Sequence, residues 1–168
     1  MKESKKLNLG AGSNIIDSWC NIDIINREGI DIVHDVSKRL PFDDNSIERI
    51  YSSDVLEHIM YAEVPKTLKE WCRVLVPRGT ISIKVPSLST IATNYVRHLI
   101  DTKEFVRLVY GGQEGGKIEN AHKSGFDPQY ISKLMEQAGF EITNIISYPN
   151  SPDENNLIIK GIKEKAVR

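Results

Sequence analysis

Short apolar runs edged by glycine, proline, asparagine and aspartate open the chain. Lys6-Leu-Asn-Leu9 leads into Gly10-Ala-Gly12. Trp19-Cys-Asn-Ile-Asp-Ile24 and Ile30-Asp-Ile-Val-His34 follow closely, and Ile47-Glu-Arg-Ile-Tyr51 comes after the turn-rich Pro41-Phe-Asp-Asp-Asn-Ser46. Runs of this length and edge composition predict strands in a mostly covered sheet. From about Val64 to Val76 the spacing turns helical. Leu68, Trp71, Cys72 and Leu75 fall at i, i+3, i+4 and i+7, with Pro77-Arg-Gly79 as the stop. Thr80-Ile-Ser-Ile-Lys-Val85 alternates again up to Pro86. A second helix is predicted from about Leu88 to Tyr110, with Leu88, Ile91, Ala92, Tyr95, Val96, Leu99 and Ile100 on its apolar face and a break allowed near Asp101.

Gly111-Gly-Gln-Glu-Gly-Gly116 reads as a loop. Asp127-Pro128 starts a further helix, with the carboxylate as N-cap and proline in the first helical position. Ile131, Leu134, Met135 and Ala138 supply its buried stripe, and Gly139 ends it. Two strands close the chain, Phe140 to Tyr148 and Asn155 to Ile162; joined through Pro149-Asn-Ser-Pro-Asp153, they pair antiparallel. Strands alternating with helices and then a final hairpin predict an α/β fold whose sheet contains one antiparallel strand.

Composition narrows this. At 168 residues the chain fits one domain, residues 1–168, able to bury a core without disulfides or structural metal. A net charge of −1 gives no broad attraction to nucleic acid or anionic membrane, and the lysines at both termini read as solvated ends. Cys20 and Cys72 match no metal spacing, so reduced thiols and a cytoplasmic setting are expected. No leader pattern and no run long enough for a membrane span is present, and no internal repeat is visible.

The candidate chemistry begins at Asn8-Leu-Gly-Ala-Gly12, directly after the first strand. Glycines there let the backbone bend sharply and let a ligand lie against main chain. A Gly-x-Gly also makes ordinary turns, and Asp23 alone could cap a loop; their order is what points to a nucleoside. Asp23 ends the next strand, where a carboxylate can accept from both hydroxyls of a ribose. A dinucleotide fingerprint wants a third glycine where Ile15 stands, and a helix facing pyrophosphate. Only six residues separate Gly12 from Trp19, room for little more than about one turn of helix. The first crossover helix is therefore expected to be truncated. Such a site suits an adenosyl ligand without phosphates.

Leu7-Asn-Leu-Gly-Ala-Gly12, Trp19-Cys-Asn-Ile-Asp23, Asp31-Ile-Val-His-Asp-Val36 and Leu40-Pro-Phe-Asp-Asp-Asn-Ser46 together resemble the class I S-adenosylmethionine-dependent methyltransferases. The nearest subgroup is the type 11-like one, with members from bacterial surface-polysaccharide loci. Ser52-Ser-Asp-Val-Leu-Glu-His58, Arg73-Val-Leu-Val-Pro-Arg-Gly79 and Ala121-His-Lys-Ser-Gly-Phe-Asp127 extend the resemblance over nearly the whole chain. It implies a Rossmann-like, mostly parallel seven-strand sheet with the last strand reversed. It also implies S-adenosylmethionine as cofactor and S-adenosylhomocysteine as product. Gly10, Ala11 and Gly12 would pass under the cofactor, Asp23 would hold the ribose, Asp35 and Val36 would flank adenine, Ser52 and Ser53 would lie near the methionine part, and Asn8 and Ile24 would be among the cofactor-binding residues. Arg78 replaces the usual glycine of a Pro-Gly-Gly turn, and Asp54 stands where many relatives carry histidine. With the early helix truncated, the pocket is expected to lie open on one side until the middle insertion or a partner covers it.

Methyl transfer from a sulfonium needs alignment and exclusion of water, and a hydroxyl acceptor also needs a base. His122 and His58 are the base candidates. His122 lies in an insertion of about forty residues, 87–126, expected to cover the substrate side. Asp54, Glu57 and His58 carry the i, i+3, i+4 spacing of a metal-binding helical face, yet solvated faces carry such triplets commonly, and no metal is expected. The expected activity is methyl transfer to a small molecule or glycan precursor. A non-catalytic S-adenosylmethionine-binding module and a nucleotide-dependent oxidoreductase are the alternatives.

Overall fold

The computed structural model describes residues 5–112, 120–147 and 154–165. The strands are β1 (Lys6–Leu9), β2 (Cys20–Asp23), β3 (Ile32–Val33), β4 (Ile47–Ser53), β5 (Leu75–Pro86), β6 (Phe140–Ser147) and β7 (Asn156–Lys163). They form one seven-stranded sheet in the order β3-β2-β1-β4-β5-β7-β6. β1 to β5 pair in parallel, whereas β7 runs antiparallel to both β5 and β6. The reversed last strand expected from the sequence is present. The glycine-rich run beyond Gly112, and Tyr148 with the Pro149–Asp153 turn, lie outside the described residues.

Residues 10–19 connect β1 to β2 through turns alone. The alternation within the two strands explains why. Leu7, Leu9, Cys20 and Ile22 point into the core, while Asn8 and Asn21, register partners, point the other way. Asn8 Nδ2 donates to Asn14 O (2.7 Å) and to Asn21 Oδ1 (2.9 Å), and that same oxygen accepts from Ile16 N (2.9 Å). A helix laid over this face would need apolar partners. The amide pair instead satisfies the main chain of a short loop.

The core joins the strands to α1 (Val64–Val74) and α4 (Pro128–Gln137). Leu68, Trp71 and Cys72 from α1 and Ile131, Leu134 and Met135 from α4 are buried as their spacing predicts. Asp127 caps α4 by accepting from Tyr130 N at 2.7 Å.

Four local expectations need correction. Strand β3 is only two residues long, although main-chain bonds to β2 flank it on both sides, Asp31 N to Asn21 O (2.9 Å) and His34 N to Asp23 O (2.8 Å), and the Asp31 carboxylate takes the Asn21 N–H (2.8 Å). The helix expected to reach Val76 stops at Val74. Asn45 N and Ser46 N occupy the Arg73 and Val74 carbonyls, and Pro77-Arg-Gly79 lies in a bulge of β5. The single helix expected over 88–110 is two, α2 (Leu88–Val96) and α3 (Thr102–Tyr110), parted where His98 adopts φ +58° and Asp101 caps Glu104 N.

The face of α2 also differs. Thr90, Ile91 and Asn94 are buried, while Val96 is 74% exposed and Leu88, Tyr95 and Leu99 remain accessible. Polar partners decide this orientation: Thr90 Oγ1 lies 3.1 Å from Ser147 Oγ, and Asn94 Nδ2 donates to Asn155 Oδ1 at 2.9 Å. Unpaired burial of those amides and hydroxyls would cost more than exposing a few apolar side chains. The ends of the 87–126 excursion meet at the Ser87–Phe126 bridge, so it leaves and re-enters the sheet at one point. No described helix is long and apolar enough to cross a membrane.

Candidate functional site

The glycine turn is fastened to the end of β2. Gly10 N and Ala11 N both donate to Ile22 O, at 2.8 and 3.0 Å. At Gly10 (φ +69°) a Cβ would stand 2.2 Å from Val55 Cγ2, so close packing excludes any side chain. Gly12 differs. Its φ is +54°, and a Cβ there would meet nothing within 4 Å, so the space above it is open. Its N–H donates to Asp23 Oδ2 at 2.8 Å, while Ile25 N donates to Oδ1 at 2.8 Å. The two points singled out in the sequence are in direct contact. Each carboxylate oxygen accepts one main-chain hydrogen bond and keeps capacity for another. Beside it, Ile24 is 64% exposed, offering an apolar surface to a flat ligand.

Asn8 does not reach this space. Its amide is engaged inside the 10–19 loop, which it shapes from below. Val36 likewise turns its side chain into the core, and its carbonyl accepts from Trp71 Nε1 at 3.0 Å. Asp35, half-buried, accepts from Ser37 N (2.9 Å) and Ser37 Oγ (2.7 Å) through one oxygen. Burial alone would raise its pKa, but these two bonds and the charges of Lys38 and His34 outweigh it and lower the value. Asp35 is thus a carboxylate held in place by Ser37, directly after His34, whose main-chain N–H donates to Asp23 O at 2.8 Å.

At the end of β4, Ser52 is buried with its Oγ lacking a hydrogen-bond partner among the described residues. Ser53 Oγ donates to Asp54 Oδ2 at 2.8 Å. Asp54 adopts φ +57° and lies 3.9 Å from Lys84 Nζ. The following Leu56–His58 segment is a 3-10 turn, so the i, i+3, i+4 geometry of an α-helix does not apply. Asp54 therefore does not complete a triad with Glu57 and His58.

His122 does join them. Ligand-type atoms of Glu57, His58 and His122 all lie within 4.8 Å of one another, and the two imidazoles meet edge to face with centroids 5.1 Å apart. Glu57 O accepts from Lys123 N (2.7 Å) and Ser124 N (3.1 Å), which clips the return of the insertion onto the 3-10 turn. Burial, with the charge of Asp54 adding to it, pushes the Glu57 carboxyl up to about 8. Burial and then the neighbouring His58 lower the His122 imidazole. The sequence names all three residues, but no spacing rule brings His122 to the other two.

Residues 11–83 match the family model described as a methyltransferase domain. No protein of curated function matches the sequence. Solved structures are similar over 95% of the chain. One is an S-adenosylmethionine-dependent methyltransferase from Methanosarcina mazei (17% identity, TM-score 0.65, 92% of that chain covered). Another is a possible histamine N-methyltransferase from Thermotoga maritima (15%, 0.63, 82%). A third is the 1,6-didemethyltoxoflavin-N1-methyltransferase of Burkholderia thailandensis, solved with its substrate and S-adenosylhomocysteine (13%, 0.62, 71%).

Proposed function

We propose that this chain, a class I S-adenosylmethionine-dependent methyltransferase, seats its cofactor across Gly12 and Asp23 and methylates a hydroxyl-bearing small molecule or glycan precursor. Activity class and cofactor rest on the family match over residues 11–83, with the sheet order as the fold that such a domain requires. Bound there, S-adenosylmethionine supplies an electrophilic methyl group on a sulfonium. One observation carries the seating: Gly12 leaves open space directly beside a carboxylate to which it is hydrogen-bonded.

The residues fit the group. Asp23 offers two oxygens with remaining acceptor capacity to the ribose hydroxyls, and Ile24 offers an apolar surface to the base. Asp35, held ionised by Ser37, suits an exocyclic amine. Ser52, with its orphan hydroxyl, and Ser53 stand at the strand end suited to the amino-acid part. Gly10 and Ala11 hold the bend. Asn8 and Val36 act from outside the pocket, one by shaping the loop and the other by packing.

The acceptor end lies where His58 and His122 meet, and the 87–126 excursion, pinned at Ser87 and Phe126, suits a cover over it. A hydroxyl must lose its proton as its oxygen takes the methyl group, and paired imidazoles are suited to receive it. The neighbours in fold that are named for small molecules are N-methyltransferases by name, so the hydroxyl acceptor rests on the imidazole pair and not on them. Two buried free thiols fit a reducing, cytoplasmic setting. Incubation with S-adenosylmethionine and a panel of hydroxylated metabolites and sugar nucleotides, following S-adenosylhomocysteine release, tests this. Turnover is expected with a hydroxylated acceptor and is expected to fall at least about 100-fold in His122→Asn. Cofactor binding without turnover on any acceptor would favour a non-catalytic binding module instead.

A further inference from the structure

We propose that Glu57, His58 and His122 form a binding site for a divalent first-row transition-metal ion such as Zn2+ or Mn2+. Two imidazoles and one carboxylate make a nitrogen-rich donor set that such ions prefer and that Mg2+ and Ca2+ do not. The three donors already lie within 4.8 Å of one another. Donors at about 2.1 Å from one ion are about 3–4 Å apart, so closure takes rotamer adjustments on the order of 1 Å.

Three independent features point at a ligand. Glu57 is 2% exposed, yet its Oε2 has no hydrogen-bond partner among the described residues. A buried carboxylate oxygen left in this way is costly, and a cation would satisfy it. His58 Nδ1 lies 3.2 Å from Ala121 O. If Nδ1 carries the proton and donates it to that carbonyl, Nε2 is left as a free lone pair, the arrangement that orients metal-binding histidines. The two sequence segments are also locked together. Lys123 N and Ser124 N donate to Glu57 O, and Ser124 Oγ donates to Leu56 O at 2.8 Å. The ligands are thus held by main chain rather than gathered by long flexible side chains. Three protein ligands leave positions on the ion for water or an acceptor oxygen.

The site coincides with the proposed acceptor end: an ion held there would occupy the imidazole lone pairs, and its bound hydroxide would then be the group that receives the acceptor's proton, but binding of the ion does not depend on the methyltransferase reading. Metal-stripped full-length protein is titrated with Co2+ alone, whose visible spectrum reports nitrogen coordination, and the signal is then competed with Zn2+. The spectrum is expected to saturate at about one equivalent per chain. The signal is expected to be lost in Glu57→Gln and in His122→Ala, and kept in His34→Ala and His98→Ala. S-adenosylhomocysteine calorimetry and thermal unfolding on the same samples show whether each variant is folded. Should Glu57→Gln unfold, His122→Ala carries the test, since His122 is only half-buried. No spectral change in the wild type, or equal signals in wild type and His122→Ala, overturns the site. Absent Co2+ binding with intact S-adenosylhomocysteine binding removes only the metal. Intact Co2+ binding without S-adenosylhomocysteine binding removes the cofactor reading and leaves the metal.

Discussion

Replacing each glycine of the turn in separate variants distinguishes a pocket from a mere bend. In Gly12→Ala the new methyl meets no protein atom within 4 Å, so the folded-state cost is that of a left-handed residue at φ +54°, about 1–2 kcal/mol. A cofactor lying against Gly12 would be about 3.5–4 Å from its Cα and so in collision with the methyl. Overpacking of that kind costs about 1–3 kcal/mol, roughly a 5- to 150-fold loss of affinity. Gly10→Ala should behave in the opposite way. Its Cβ would stand 2.2 Å from Val55 Cγ2 at φ +69°, so strain and overpacking together remove about 2–5 kcal/mol of stability. Urea unfolding and calorimetry with S-adenosylhomocysteine separate the two effects. If Gly12→Ala binds as tightly as wild type while losing the expected stability, the ligand does not lie over this residue and the reasoning fails.

Two further outcomes test the scaffold. Asn21→Ala removes the acceptor used by Asn8 Nδ2 and Ile16 N and should cost about 2–4 kcal/mol in urea unfolding; a loss near zero would mean that the 10–19 loop is held by something else. Glu70 accepts from Leu40 N (2.7 Å) and from two nitrogens of Arg73 (2.9 and 2.6 Å). Although burial opposes ionisation, the Arg73 bonds dominate and lower its pKa from the ordinary 4.5. The carboxylate's contribution is therefore full above that value and lost as pH falls through the lower, folded-state value. Wild-type stability measured by denaturant across this acid range should decline more steeply than that of Glu70→Gln, which should itself be weaker by about 1–3 kcal/mol at neutral pH. Parallel acid limbs in the two proteins would contradict the assignment.

The sheet was legible because its strands are short apolar runs separated by turn residues, and because a two-strand hairpin at the end makes one strand run against its neighbour; that β7 lies between β5 and β6 is seen only in the structure. The truncated crossover could be read from the six residues between Gly12 and Trp19. Its cause, the Asn8–Asn21 pair, needed the register of β1 against β2. Where the apolar stripe was the guide, it failed on α2. Thr90 and Asn94 found polar partners on Ser147 and Asn155, residues far along the chain, and those bonds set the helix face. Helix ends were misplaced for a similar reason, since carbonyls of α1 are closed by Asn45 and Ser46 rather than by a local stop.

At the candidate site, the meeting of the Gly10–Gly12 turn with Asp23 was readable because consecutive strands of a parallel sheet end on the same edge. Asn8 and Val36 read as cofactor contacts in the sequence, yet the Asn8 amide is taken by Asn14 and Asn21 and the Val36 side chain packs in the core. His122 could be named but not placed. Only the return of the insertion, hydrogen-bonded to Glu57 O, brings it to His58.

Calorimetry of S-adenosylhomocysteine binding to wild type and Asp23→Asn puts the shared clasp of turn and carboxylate to its most direct trial. The substitution keeps the shape and one acceptor oxygen but removes the charge that would hold the ribose and one of the two main-chain bonds, from Gly12 N or Ile25 N, so urea unfolding is read on the same samples. Measurable binding by the wild type, weakened by about 1.5–3 kcal/mol in a variant that still unfolds cooperatively, is the predicted result. Equal affinity in the two proteins would place the nucleoside elsewhere.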